Sequence, residues 1–137
     1  YMPNSTTLAQ PTVIGLTAGV STLYDQEKGT NDDTDPITAF ITSGDVDIVD
    51  GDNSMFIKRY IPDLKNQEGA VNFQFLVRQY PGATQTVASS TLVYSTTTKV
   101  DMRARGRQVA IKIISTEVDT KWRYGTLRID GQQDGLR

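Results

Sequence analysis

The chain has 137 residues, 14 Lys+Arg against 16 Asp+Glu, a formal net charge of −2, and neither histidine nor cysteine. These absences exclude disulfides, thiol nucleophiles, cysteine-built zinc sites, Ser-His and Cys-His triads and the usual general base near neutrality. The length suits one core; no apolar run approaches the roughly 20 residues of a membrane helix, and none reads as a signal peptide.

Apolar and polar residues alternate along much of the chain, and no stretch sustains the 3.6-residue spacing of a helix, so the predicted elements are strands. The first is the short apolar run 12–16. The acidic loop Gly29-Thr30-Asn31-Asp32-Asp33-Thr34-Asp35 then separates an N-terminal arm, 1–35, with no evident core of its own, from a main domain, 36–137. Residues 37–42 alternate and end at the turn signal Ser43-Gly44. Residues 45–49 alternate acids with Val46 and Ile48. Residues 54–61 form an apolar–basic run closed by Pro62-Asp63. Val71, Phe73, Phe75 and Val77 have a clean period of two and stop at Tyr80-Pro81-Gly82, which reads as a strand with one core face and a tight turn. Further strands are predicted at 92–94, 99–105, 108–115 (Val109, Ile111 and Ile113 on one face) and 122–130. The Ser/Thr runs 89–91 and 95–98 read as strand edges or loops. The polar tail 128–137, with its Asp-Gly pairs, reads as turns at a frayed end. Seven or more short strands with regular turns predict an all-β fold, an antiparallel β-sandwich of jelly-roll-like type.

The charge is unevenly spread. Residues 1–55 hold nine acids and one cation, Lys28, whereas 99–137 hold nine cations and five acids. A dipolar chain favours head-to-tail contacts or internal pairing over a nucleic-acid footprint, which needs a larger basic excess. Asp50-Gly51-Asp52-Asn53 offers oxygen ligands of the kind calcium takes, but without EF-hand spacing or a bidentate Glu. Asp50 and Asp52 are thus candidate metal ligands set against ordinary solvated turns and acids that protect a strand edge. Three of the acids are Glu (Glu27, Glu68, Glu117), and no two acids stand at a spacing that defines a glycosidase pair. In Arg103-Ala104-Arg105-Gly106-Arg107, strand alternation puts Asp101, Arg103 and Arg105 on one face and Met102 and Ala104 toward the core. Gly106 marks a bulge or tight turn that re-aims Arg107. These arginines suit ion pairing with a neighbouring strand or subunit better than a phosphate track, because no stacking aromatics interleave them. Phe73 and Phe75 read as core, and Trp122, beside Arg123, as a core or interface plug.

Three segments in order carry a resemblance: Met55-Phe56-Ile57-Lys58-Arg59-Tyr60-Ile61-Pro62-Asp63, then Arg103-Ala104-Arg105-Gly106-Arg107-Gln108-Val109-Ala110-Ile111-Lys112-Ile113, then Trp122-Arg123-Tyr124-Gly125 through Arg128-Ile129-Asp130 to Asp134-Gly135-Leu136-Arg137. With Pro36-Ile37-Thr38-Ala39-Phe40-Ile41-Thr42-Ser43-Gly44, this order resembles the C-terminal region of tail hub, tail nozzle or DNA-stabilisation proteins of short-tailed phages. Leu136 stands where that family often has Arg, and Gln133 where it often has Pro. The resemblance implies a domain cut from a longer chain, in keeping with the start at Tyr1, and an upstream part that is often a β-propeller. The arm, through Leu23-Tyr24-Asp25, is similar to the last propeller strand.

The function so implied is mechanical. Such a chain is a virion subunit, made in the host cytoplasm, that forms a ring with copies of itself and meets other tail or portal-adaptor proteins. It extends the portal channel and helps retain and conduct genomic DNA without sequence-specific binding, with no catalysis, no cofactor and no membrane. Candidate inter-subunit contacts are Arg103, Arg105, Arg107, Trp122, Arg123 and Arg128. The alternative of another class is a carbohydrate- or receptor-binding sandwich of a tail adhesin, suggested by Thr-rich strands, Asp-rich loops and the tyrosines. A glycan-cleaving enzyme ranks last, for want of an acid/base pair.

Overall fold

The computed structural model describes residues 12–17, 20–25, 29–47 and 53–136, and every helical or strand element among them is a strand. In the arm, β1 (Thr12–Thr17) and β2 (Val20–Asp25) form an antiparallel hairpin. A second, minimal hairpin joins β3 (Asn31–Asp32) to β4 (Asp35–Pro36). Asp33 takes a positive φ of 57° in its turn, a conformation Asp tolerates better than most residues.

The main domain is an antiparallel β-sandwich. One sheet has the order β10 (Thr86–Val93), β9 (Val71–Arg78), β12 (Gln108–Ser115) and β5 (Ala39–Thr42), with β6 (Val46–Asp47) pairing further along β12. The other has β11 (Val100–Gly106), β7 (Asn53–Ile61) and β14 (Arg128–Leu136). A two-stranded ribbon, β8 (Leu64–Glu68) with β13 (Lys121–Tyr124), joins them at one end.

Alternation explains the two inner faces. Val71, Phe73, Phe75 and Val77 of β9 are buried, as the period of two predicts, and meet Met55, Ile57 and Tyr60 of β7, Met102 and Ala104 of β11, Val109 and Ile113 of β12 and Val93 of β10. Ile111 packs against the same cluster, partly buried. Tyr60 is the hub. Its ring lies 5.5 Å from Phe73 and 4.9 Å from Phe75, centre to centre, within the 4.5–7 Å range in which aromatic pairs attract. Ile57 and Tyr60 both point inward although three residues apart. Lys58 absorbs the extra position, since Arg59 pairs with Asp130 and Ile57 with Gly131, a bulge that restores the inward register.

The chain passes from one sheet to the other through a single residue. β11 ends at Gly106 and β12 begins at Gln108, with Arg107 donating its backbone N–H to the Arg78 carbonyl at 2.9 Å. A Cβ on Gly106 would stand 2.9 Å from Val77 Cβ and 3.1 Å from the Arg78 oxygen. Glycine is therefore needed for close approach, and the bulge-or-turn reading of Gly106 becomes a sheet-to-sheet corner.

Two sequence expectations change: the run 122–130 is divided between β13 and β14, which belong to different sheets, and the tail is ordered. The tail does not fray: Arg128–Leu136 is a full strand along β7, and its glycines sit at register shifts next to Asp130 and Leu136 instead of in turns. The Ser/Thr run 89–91 lies within β10, an edge strand of its sheet, paired with Phe73, Gln74 and Phe75. Ile48, Val49 and residues 1–11 of the arm lie outside the described residues.

Candidate functional site

The predicted contact residues fall in three places. Arg103 and Arg105 project from the outer face of β11, with Met102 and Ala104 buried behind them. On that face charges are laid in rows across the three strands. Arg59 stands between Asp101 and Asp130, 3.6 Å from each, and Arg105 reaches over β7 to Asp134 at 2.6 Å. These pairs are largely exposed, so each contributes less than about 1 kcal/mol. Their main effect is to give the face a fixed pattern of alternating sign. Arg105 thus has an acid partner within its own chain.

Arg107 occupies the corner between the sheets, half-buried. Arg128 opens β14 opposite Ile61. Arg123 and Trp122 lie on β13, away from the β11 arginines. The Trp122 ring is partly buried against the core, and its indole N–H donates to Ser115 Oγ at 3.0 Å. It therefore acts as a plug with one satisfied polar end, and its remaining surface lines a groove of about 480 Å³ with Ile37, Phe40, Ile41 and Tyr124.

That groove borders an exposed apolar edge of the sandwich. Residues 39–47 form one interrupted edge strand along β12. At the break the Ser43 N–H donates to the Ile111 carbonyl (2.8 Å), while Ser43 Oγ accepts from the Ile111 N–H (2.9 Å), so a side chain completes the ladder. Phe40 is 64% exposed and Val46 56%. Between this edge and β14 the two sheets part, leaving an apolar cleft of about 250 Å³ lined by Val46, Met55, Ile57, Val109, Ile111 and Ile129.

Several motif residues have structural roles. The Asp63 carboxylate accepts from the Thr126 N–H at 2.9 Å, and its carbonyl accepts from the Gly125 N–H at 2.8 Å. A side chain on Gly125 would run into the Asp63 carboxylate. The Pro62-Asp63 and Tyr124-Gly125 segments thus form a single clasp. Asp45 is held by Arg78 (3.2 Å) and Gln85 (2.8 Å), and Asp47 accepts from Gln108 at 3.3 Å. Asp50 and Asp52 lie outside the described residues. Among the described residues, no group of three or more acids gathers as a metal site.

Tyr60 is a weaker acid than a free phenol. Burial pushes its phenol up to about 12, against a smaller opposing influence of Thr91, toward which the hydroxyl faces without a hydrogen bond of good geometry. The exposed Tyr80 and Tyr94 cap opposite ends of β10 and so make no shared stacking platform. Sequence reasoning missed the edge strand and its groove as a site. The signal was present in Phe40 and Ile41, apolar neighbours pointing to opposite faces of a strand, only one of which a sandwich can bury. No family model matches the chain, and no curated protein matches it in sequence.

Proposed function

We propose that the chain is a structural subunit of a short-tailed phage tail, of hub or nozzle type, that assembles into a ring with copies of itself around the DNA path and performs no catalysis. The observation that carries this reading is the placement of charge. The acids of 29–47 (Asp32, Asp33, Asp35, Asp45, Asp47) and the β5–β6 edge belong to one flank of the sandwich, which β14 also borders. The β10 and β11 strands, with Lys99 and Arg103, belong to the other, where Asp101 is paired with Arg59 and Arg105 with Asp134. Unlike flanks on one subunit suit a heterologous, head-to-tail contact, in which the acidic flank of one copy meets the basic flank of the next. The order of the four resembling segments supports the assignment to a tail.

In such a ring the outer-face ion pairs and the core serve as stiff material. A conduit of overall negative charge repels phosphate and keeps DNA from adhering. The test is native mass spectrometry of the 137-residue chain at low salt, with Arg103→Glu beside the parent. The expected result is a closed oligomer that weakens with added salt and is weakened further by Arg103→Glu. A monomer at every concentration and salt overturns the reading, and sugar binding on a glycan array favours the adhesin alternative.

A further inference from the structure

We propose that copies of this chain join by continuing one sheet: the edge of β5 in one copy, open among the described residues, pairs antiparallel with the similarly open edge of β10 in the next. This rests on the reading that the chain assembles with itself, and it names the surfaces that do so.

Strand direction is the first argument. In the order β10-β9-β12-β5 every adjacent pair is antiparallel, so the two outermost strands run in opposite directions. A further copy in the same orientation therefore presents its β10 antiparallel to β5, and the alternation continues without a break. The other sheet cannot do this. Its edges, β11 and β14, are both antiparallel to β7 and so parallel to each other.

The side chains agree with that pairing. On the outer face one row runs Leu92–Asn72–Ile114–Phe40 across the sheet, and the next runs Ser90–Gln74–Lys112–Thr42. Extending the rows sets Phe40 against Leu92 of the next copy, and both are exposed apolar groups. The same extension carries Tyr94 of the next copy, also exposed, to the groove of Ile37, Trp122 and Tyr124. β5 itself, the four residues Ala-Phe-Ile-Thr, carries no charge and no Pro, two of the devices that keep edges from pairing.

Charge selects the partner. The β3–β4 hairpin with Asp32, Asp33 and Asp35 is tied beside the Ser115 end of β12 by two hydrogen bonds between Asn31 and Asp119, at 2.8 and 2.7 Å. Lys99 of the next copy follows β10 at that same end. At the opposite end Asp45 is held within its own chain by Arg78 and Gln85, and Asp47 by Gln108, so the charge match between copies is made at the Lys99 end. Two β5 edges brought together would instead set acids against acids, which disfavours a two-fold dimer.

A chain without cysteine allows a direct test by oxidative cross-linking. Thr42→Cys and Ser90→Cys are made singly and together; both positions are exposed, and directly opposed antiparallel residues lie within disulfide range. We expect the double variant to give a ladder of disulfide-linked multimers, and an equal mixture of the single variants to give dimers. Both should exceed a Thr42→Cys/Lys65→Cys control at least tenfold, with each single variant staying monomeric on a non-reducing gel. An oligomer of the parent chain by native mass spectrometry without that ladder overturns the edge pairing while leaving the assembly reading intact. Dimers from Thr42→Cys alone would replace it with a two-fold contact. Absence of both oligomer and ladder removes both proposals.

Discussion

The strands β9 and β5 flank β12 on either side, yet meet opposite fates. In β9 alternation is fully expressed: Val71, Phe73, Phe75 and Val77 are buried and their neighbours are half-exposed. In β5 the residues Ala39, Phe40, Ile41 and Thr42 are all exposed. The difference arises from cover. β9 has a strand on each side and the facing sheet over its inner side, whereas β5 has one neighbouring strand and lies where the sheets part. Burial in this fold is set by position in the layer, and apolar character is thus informative about the core only when a facing layer exists.

Four experiments sharpen that contrast. The largest effect belongs to the covered strand: Phe75→Ala should cost about 3–5 kcal/mol in chemical denaturation, because the cavity forms against the Tyr60 ring. A cost below about 1 kcal/mol would mean that the aromatic cluster is not the centre of the core. Next comes Tyr60. Its phenol ionises near 10 when unfolded and near 12 when folded, so the native state holds the proton more tightly. Its contribution is intact below pH 10 and declines as pH rises from 10 toward 12, by about 2–3 kcal/mol in all. Lysines titrate over the same range, so Tyr60→Phe is the control: it should remove that share of the alkaline loss, measured as the difference between the two denaturation curves. Third, Asp63→Ala should lower stability by about 1–2 kcal/mol, since it removes the acceptor for the Thr126 N–H; the conservative Asp63→Asn should recover part of it. Smallest is the open strand. Phe40→Ser should change monomer stability by less than about 0.5 kcal/mol while reducing self-association, and a large loss of stability would show that Phe40 is covered within the subunit.

Much of this was readable from the residues. The limits of β12, the inward set on β9 and the alternation of Met102 and Ala104 with Arg103 and Arg105 follow from side-chain period alone. What escaped depended on partners distant in sequence. Leu64–Glu68 has no apolar alternation and is a strand only because β13 lies beside it, with Asn66 at a φ of 51° where two β8 residues oppose Trp122. The tail looked frayed because its apolar content is low, and β7 supplies the missing order. The pairing of Arg105 with Asp134 within the chain was equally invisible, since it requires knowing that β14 returns beside β7.

The position of β7 has a consequence for synthesis. It forms the middle of its sheet, yet both its hydrogen-bonding neighbours, β11 and β14, are encoded after it. A nascent chain that has exposed Met55, Ile57 and Tyr60 to water must wait for residues 128–136 to clear the ribosome before that sheet can close. Maturation therefore falls late, at the slow rates typical of distant β pairings. A ribosome-bound chain halted before Arg128 should be cut readily by protease within residues 53–61, whereas the released chain should resist.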